Sequence, residues 1–404
     1  MKLLFISYDG LTDPLGQSQI LPYIKGLCRK GYKYSIISFE KKEQFKTHYE
    51  LVSNDLQKFG ITWKALSYTK NPPLLSTIYD IISLKKEIKN QIKANQIDVI
   101  HCRSYISMFA AYPLAKKSNI KLIFDMRGFW IDERTEGGIW NLKNPIYSFL
   151  YKILKKKEVV WMNTSELIIS LTHKGKQIIL DQFKQSIKEN IHVIPCCADQ
   201  DHFNPWNIHI DAKSELLQKL GISHEDKILG YSGSIGTWYL GNEMMQQFKR
   251  LNEMDLFNKF LWVTKEDPER IYELAENNGI DRGKIIVKSA NRKEMPLYLS
   301  TFDLGIFYIK PSFSKKASSP TKLGEMLLMG IPVLCNSNVG DLDEFFSGHK
   351  IGLCHDIEDF ESVSLDDINR IMNLDRSNIK QVGIDQLSLS SGIDKYDKAL
   401  NSLK

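Results

Sequence analysis

The stretch Ser318-Ser319-Pro320-Thr321-Lys322-Leu323-Gly324-Glu325-Met326-Leu327-Leu328-Met329-Gly330-Ile331-Pro332-Val333-Leu334-Cys335-Asn336 reads as loop, helix and buried strand in succession. Ser319 suits an N-cap and Pro320 the first helical position. Gly330 suits the residue just past the helix, and Pro332 stops the helix resuming. Val333–Cys335 is a short apolar run fit for a parallel strand buried on both faces. Lys322 is the unusual choice. It falls in the first turn, where the helix dipole disfavours a cation and no Asp or Glu offsets it. An anion at the helix N-terminus would explain it, with free N–H groups and the ammonium turned to one phosphate. Glu325 shares that face with Thr321 and Lys322, and a carboxylate there suits sugar hydroxyls just beyond the phosphate. The plainer reading is a capped helix with a solvated Lys and Glu.

Outward from this segment the same grammar repeats. In the first half Leu3–Ser7, Tyr34–Phe39, Ile97–Cys102 and Lys121–Asp125 read as strands. Helical patterns cover Gln19–Lys30 and Tyr105–Lys117, and a polar loop covers Asp9–Gly16. In the second half Ile228–Tyr231, Phe260–Thr264, Ile285–Lys288, Leu304–Tyr308 and Val333–Cys335 are strand candidates. Helices are expected near Asn242–Leu251, Glu269–Asn277, Pro296–Thr301 and Pro320–Met329. Such alternation predicts an α/β chain of two Rossmann-like, doubly wound domains, with ligands at the carboxyl ends of the strands. The join falls near Pro195–Pro205, giving domains over 1–195 and 196–385 and a closing helix over 386–404.

The bulk numbers agree with this. A chain of 404 residues is long for one core and comfortable for two. With 43% hydrophobic and 25% charged residues it has the composition of a soluble globular protein. It has no apolar run of membrane-spanning length. Met1–Asp9 lacks the apolar core and cleavage site of a signal peptide and reads as a first strand. The six cysteines form no CxxC pair and no His/Cys cluster has metal spacing, so free thiols in a reducing cytoplasm and no metal are expected. Charge is uneven. Residues 1–195 hold 30 Lys and Arg against 17 Asp and Glu, a net +13, and the remainder is net −7. A basic first half is expected to meet an anionic partner. Apolar and aromatic residues are mixed into the basic stretches, which favours a membrane surface or lipid phosphate over nucleic acid.

Several further segments carry candidate chemistry. In Gly10-Leu11-Thr12-Asp13-Pro14-Leu15-Gly16-Gln17-Ser18-Gln19, Gly16 could let the backbone approach a phosphate or sugar, with Gln17 beside it. A dinucleotide site is the rival, because Glu40 ends the second strand where a ribose-binding acid belongs. Against it, there is no GxGxxG and the loop is too long. An ordinary strand-to-helix loop is the third reading. His101-Cys102-Arg103-Ser104-Tyr105 sets polar groups at a strand's carboxyl end, although a lone His101 is more often structural. Phe124–Arg134 is the densest group of the first half. Arg127 could fork onto a phosphate, and Asp132 or Glu133 could take a proton from a hydroxyl. A surface ion-pair network is the alternative. Tyr147–Met162 mixes apolar residues with Lys152, Lys155, Lys156 and Lys157. It reads either as a basic amphipathic helix on a membrane or as a helix with one core face and one wet Lys face.

These segments together resemble glycosyltransferase family 4, the retaining nucleotide-sugar enzymes of GT-B fold. The resemblance covers most of the chain. It implies two Rossmann-like domains facing across a cleft, with the chain's end crossing back onto the first domain. It places the donor diphosphate on Ser232, Gly233, Ser234 and the Ser318–Lys322 helix end, with Gly16 and Gln17 nearby. It places the ribose on Glu325 and the base on the loop holding Ala290. Arg127, Asp132 and Glu133 fall in the segment that faces the transferred sugar and admits the acceptor. His101, Arg103, Tyr105 and Trp130 lie on the acceptor side. Many members carry an Arg and a Lys where this chain has Ser234 and Tyr239, so Lys322, Lys265 and Arg127 are the cations left for the diphosphate. The first of two family glutamates falls on Ala317. The implied activity is transfer of a sugar from a nucleotide-diphosphate sugar to a lipid-linked or polysaccharide acceptor in bacterial surface-glycan assembly. No cofactor or metal is implied, and the site would be cytoplasmic, at the inner face of the plasma membrane. A nucleotide-sugar epimerase of the same fold, a non-catalytic sugar-nucleotide sensor and a membrane-bound interaction module are the alternatives.

Overall fold

The computed structural model describes residues 1–72, 74–183 and 190–404. The chain divides into two compact units, one of Met1–Pro195 with Gly392–Lys404, the other of Cys196–Ser391.

In the first unit the elements run β1 (Lys2–Ser7), α1 (Pro14–Gln19), α2 (Leu21–Arg29), β2 (Lys33–Glu40), α3 (Lys42–Gln57), β3 (Thr62–Ser67), α4 (Leu75–Ala94) and β4 (Val99–Arg103). They continue with α5 (Ser104–Ser118), β5 (Lys121–Asp125), α6 (Trp130–Glu136), α7 (Pro145–Thr164), β6 (Leu167–Ser170), α8 (His173–Phe183) and β7 (Ile191–Val193). The strands form one parallel sheet in the order β3-β2-β1-β4-β5-β6-β7. The order reverses direction beside β1, which puts a topological switch point between β1 and β4. The central strands are buried on both faces, as apolar runs such as Leu3–Ile6 and Leu122–Phe124 require.

The second unit runs α9 (Ile210–Leu220), β8 (Ile228–Ser232), α10 (Gly241–Glu253), β9 (Lys259–Val263), α11 (Pro268–Asn277), β10 (Ile285–Lys288) and α12 (Met295–Leu299). It continues with β11 (Leu304–Phe307), α13 (Thr321–Leu328), β12 (Val333–Asn336), α14 (Leu342–His349), β13 (Gly352–His355), α15 (Leu365–Met372) and α16 (Arg376–Leu387). Its sheet is also parallel, in the order β10-β9-β8-β11-β12-β13. Trp262, Tyr231, Phe248 and Phe260 fill its core. The last helix, α17 (Leu389–Asn401), belongs to the first unit from Gly392 onward. There Ile393 fills the space that a side chain at Gly26 would need, and Tyr32 donates to Asp397 at 2.8 Å.

Two local readings are corrected. The polar loop expected over Asp9–Gly16 ends at Asp13, after which α1 begins, and the helix expected over Gln19–Lys30 is α2, set off from α1 by a break at Ile20. Pro22 offers no N–H and its ring crowds the preceding turn, which favours a helix start at this point. Between Ser318 and Asn336, Pro320 is the N-cap and the helix starts at Thr321, with no side-chain cap. Ser319 instead accepts the backbone N–H of Cys196 at 3.1 Å. Gly330 takes φ +72° just past the helix, as its position demanded.

Candidate functional site

In the second unit the carboxyl end of β8 runs into Gly233, whose φ of +132° few side chains tolerate. Opposite it stands the N-terminus of α13, with no acid in its first turn. Lys322 is buried there, which excludes the solvated-lysine reading. Among the described residues its ammonium forms no salt bridge with a carboxylate. Nζ lies 3.1 Å from the Tyr231 hydroxyl, 3.5 Å from the Tyr239 ring centre and 4.2 Å from that of Tyr231. The Tyr231 hydroxyl donates to the Ser234 carbonyl at 2.6 Å, so the same contact fixes the loop. Burial pushes the Lys322 pKa well below its ordinary value, against the pull of Glu325. A cation kept on π-faces rather than on an acid retains its capacity for an incoming anion.

Gly233 makes this arrangement fit. A Cβ added there would stand 2.8 Å from Lys322 Nζ. Gly233→Ala is therefore expected to cost about 1–3 kcal/mol in stability through backbone strain and to displace the ammonium. Calorimetry beside a nucleotide titration checks both effects.

Glu325, one turn along α13, is half-buried, and its carboxylate makes no hydrogen bond among the described residues. Burial raises its pKa, opposed by Arg292 and Lys322. Ser232 is buried at the strand end, Ser234 is exposed, and Ser318 and Thr321 are half-buried beside the helix start. Lys265 is exposed just past β9, and Ala290 packs against the core just past β10. All these residues follow carboxyl ends of one parallel sheet. Lys315 is a second buried cation on an aromatic face, 3.9 Å from the Trp238 ring centre. Trp238 and Tyr239 are thus the aromatic faces for two lysines, a feature hidden in the sequence because Lys315 and Lys322 are distant from them along the chain. Ala317 is fully buried, so no acid is presented from that position.

In the first unit a polar cluster sits at the ends of β4 and β5, where Arg103 and Asp125 are register partners. The Tyr396 hydroxyl of α17 donates to Asp125 at 2.9 Å, and His101 Nε2 lies 3.5 Å from the same oxygen. Arg127 Nη1 lies 3.9 Å from the other carboxylate oxygen, and Arg103 Nε meets Asp9 at 3.3 Å. Burial would raise the Asp125 pKa, but Arg127, His101 and Arg103 together bring it down to about 2. Arg127 itself is held at φ +55°, uncommon for a residue with a side chain. Asp125 and Tyr396 were not singled out from sequence. They are 271 positions apart, and only the return of α17 joins them.

Other expected site residues have structural employment. The Asp132 carboxylate is buried and accepts from Tyr151 at 2.9 Å and Lys155 at 3.0 Å, so it is not a base open to an acceptor. Glu133 is half-buried on the same helix. Tyr105 is fully buried, bonds Glu158 at 2.6 Å and stacks on Trp130, which makes it core rather than acceptor surface. Trp130 is half-buried, with Arg134 4.9 Å from its ring centre.

Gly16 lies inside α1. A Cβ there would stand 2.1 Å from the Gly10 carbonyl, so close packing explains the glycine. Gln17 donates to the Thr12 carbonyl at 3.1 Å. Glu40 does not await a ribose. It accepts from the N–H of Leu11 and Thr12 and from the hydroxyls of Thr12 and Ser38, at 2.5–3.0 Å. This removes the dinucleotide reading. Glu40→Ala strands those buried donors and is expected to cost about 3 kcal/mol, read from a urea midpoint.

The sequence model of Glycosyltransferase Family 4 matches residues 19–202. Over those residues, less than half of the chain, the protein is similar to this family. No curated protein sequence matches the chain. Solved structures that share its fold throughout include three of particular interest. Anabaena HepE in complex with UDP-glucose is 12% identical, with 100% of each chain covered and a TM-score of 0.67. WaaG, a glycosyltransferase involved in lipopolysaccharide biosynthesis, is 13% identical over 98% of this chain and 99% of its own, at 0.67. A Listeria monocytogenes protein named as a UDP-N-acetylglucosamine 2-epimerase is 14% identical over 99% and 96%, at 0.57. The architecture is GT-B, and the unit that carries most of the family 4 match is the more basic of the two. No helix among the described residues is long and apolar enough to cross a membrane.

Proposed function

We propose that this protein is a retaining glycosyltransferase. It moves a sugar from a nucleotide-diphosphate sugar to a hydroxyl of a lipid-linked or polysaccharide glycan in bacterial surface-glycan assembly. The observation that carries this is Lys322, a buried cation at an uncapped helix N-terminus that rests on aromatic rings and is ion-paired to no carboxylate among the described residues. The diphosphate binds that ammonium and the N–H groups beginning α13, together with the Ser232–Ser234 loop. Lys265 adds charge at the next strand end. Glu325 takes the ribose hydroxyls and the Ala290 loop takes the base.

As the anomeric C–O bond breaks, the electron pair goes to the diphosphate oxygen, and these fixed donors stabilise the charge that develops there. The acceptor oxygen attacks from the face the diphosphate leaves, and its proton passes to the departing phosphate oxygen. The charge of the leaving group is met by side chains and backbone, with no metal. Arg127, at the end of β5, positions the transferred sugar. His101, Arg103 and Trp130 belong to the acceptor side. Glu133 of α6 belongs to the same side.

A thermal-shift screen against UDP, GDP, ADP, TDP and CMP and their sugar conjugates tests the donor site. A ligand at a hundred times its dissociation constant stabilises the native state by about 2.7 kcal/mol. A selective shift, lost in Glu325→Ala, is the expected result, and no shift with any nucleotide would overturn the reading. The epimerase alternative is separated by product. An epimerase converts the donor without acceptor, whereas a transferase gives an α- or β-glycoside with the donor's own anomeric configuration.

A further inference from the structure

The outer layer of the first unit carries a surface that the donor chemistry does not use. Right-handed crossovers put α4, α5 and α7 on one face of the sheet. α5 packs on α4, and it joins α7 through the Tyr105–Glu158 hydrogen bond and the Phe109–Trp161 ring contact. On α4 the residues Leu75, Ile78, Tyr79 and Ile82 form a stripe of helical spacing that faces solvent, with Leu75 65% exposed. On α7 Ile146 and Phe149 do the same, with Phe149 68% exposed. Large apolar side chains in such numbers on one layer mark an interaction surface.

The charge beside them identifies the partner. The α4 stripe continues as Lys86, Lys89 and Lys93, and α7 continues as Lys152, Lys156 and Lys157, all exposed. The three helices hold ten lysines and three acids, and two of those acids, Asp80 and Glu158, are buried. Both helices run antiparallel to the strands. Their apolar first turns therefore lie toward the carboxyl edge of the sheet, the edge at which Arg103 ends β4 and Arg127 follows β5, and their lysines lie behind. Apolar side chains that enter the acyl boundary, with lysines reaching for headgroups, suit a flat anionic bilayer. A protein partner would call for no such uniform charge.

We propose that the α4–α5–α7 face docks this protein on an anionic membrane, with the apolar edge inserted and the lysines on lipid phosphates. Its consequence, that the acceptor hydroxyl arrives on a lipid at the edge of β4 and β5, rests on the transferase reading. The docking does not.

Co-sedimentation of the full chain with phosphatidylcholine vesicles, with and without phosphatidylglycerol, tests it. Two variants accompany the wild type, Ile78→Glu with Tyr79→Glu and Ile146→Glu with Phe149→Glu. Exposed positions should leave the melting temperature unchanged. Binding to the anionic vesicles is expected, weakened by salt and reduced about tenfold in each variant. Absence of binding, or equal binding by the variants, overturns the proposal. A wild-type dimer that becomes monomeric in the variants would also overturn it and assign the face to a second copy. A nucleotide thermal shift run in parallel separates the two claims. A chain that pellets with vesicles but shifts with no nucleotide keeps the docking and loses the transferase reading.

Discussion

Lys322→Met is expected to weaken binding of the nucleotide-diphosphate donor by roughly 100- to 1,000-fold while leaving the unliganded protein as stable as the wild type, or more so. The substitution keeps the aliphatic stem against Tyr231 and Tyr239 and removes the charge. In the unliganded protein that charge is buried with no ion-paired carboxylate among the described residues, so its loss relieves desolvation. With donor present it is the cation meeting the diphosphate. A residue that mattered only for packing would show the opposite pattern, a loss of stability with affinity retained.

The pH dependence follows from the same geometry. The folded-state pKa of Lys322 lies well below its ordinary value, so between the two the unfolded chain holds a proton that the folded chain has released. Stability of the unliganded protein therefore rises with pH across that window. Donor binding favours the charged form and draws the proton back. Affinity should fall as pH rises through the folded-state pKa, with net proton uptake on binding. Titration calorimetry in buffers of different ionisation enthalpy measures that uptake directly, and Lys322→Met should abolish it.

The second large effect is expected at Asp125. Its carboxylate receives the Tyr396 hydroxyl and faces His101 and Arg127 in a buried site. Asp125→Ala leaves those groups without their counter-charge and releases one anchor of α17. A cost of about 3–5 kcal/mol is expected, read from chemical denaturation. Asp125→Asn provides the pH arm. A carboxylate whose pKa is lowered to about 2 contributes stability that is complete above its unfolded value, about 4, and is lost as pH falls toward 2. The difference in stability between wild type and Asp125→Asn should be constant from neutral pH down to that point and shrink below it. A difference that stayed level through acid would show that the carboxylate's charge is not what binds the cluster.

The fold was legible wherever apolar runs met clear punctuation. β1, β5, β10 and β12 are short apolar strands closed by polar or glycine-bearing loops, and Gly330 with Pro332 marks the end of α13 without ambiguity. The stretch from α3 to α4 was not legible. β3 is an edge strand, half exposed along its length, so it lacks the apolar run of a central strand. α4 is apolar on two sides, since Leu84 and Ile88 face the core while Leu75, Ile78, Tyr79 and Ile82 face solvent. That erases the single stripe by which a surface helix is read.

The candidate site divides in the same way. Lys322 stood out because a first-turn cation contradicts the helix dipole, a signal contained in a few adjacent residues. Its aromatic surroundings did not, because Tyr231 and Tyr239 reach it from another strand and loop. Asp132 stood out for its neighbours in sequence, but Tyr151 and Lys155 from the next helix engage its carboxylate. Charged residues clustered along the chain therefore gave both a site and an ion-pair network, and only the partners distinguish them.

A crystal structure of the chain with the nucleotide diphosphate that gives the thermal shift decides whether Lys322 holds the donor. A phosphate oxygen is expected about 2.8 Å from Lys322 Nζ, with the first N–H groups of α13 on the same phosphate and the ribose on Glu325. A nucleotide bound elsewhere, with Lys322 still resting on Tyr239, would contradict it.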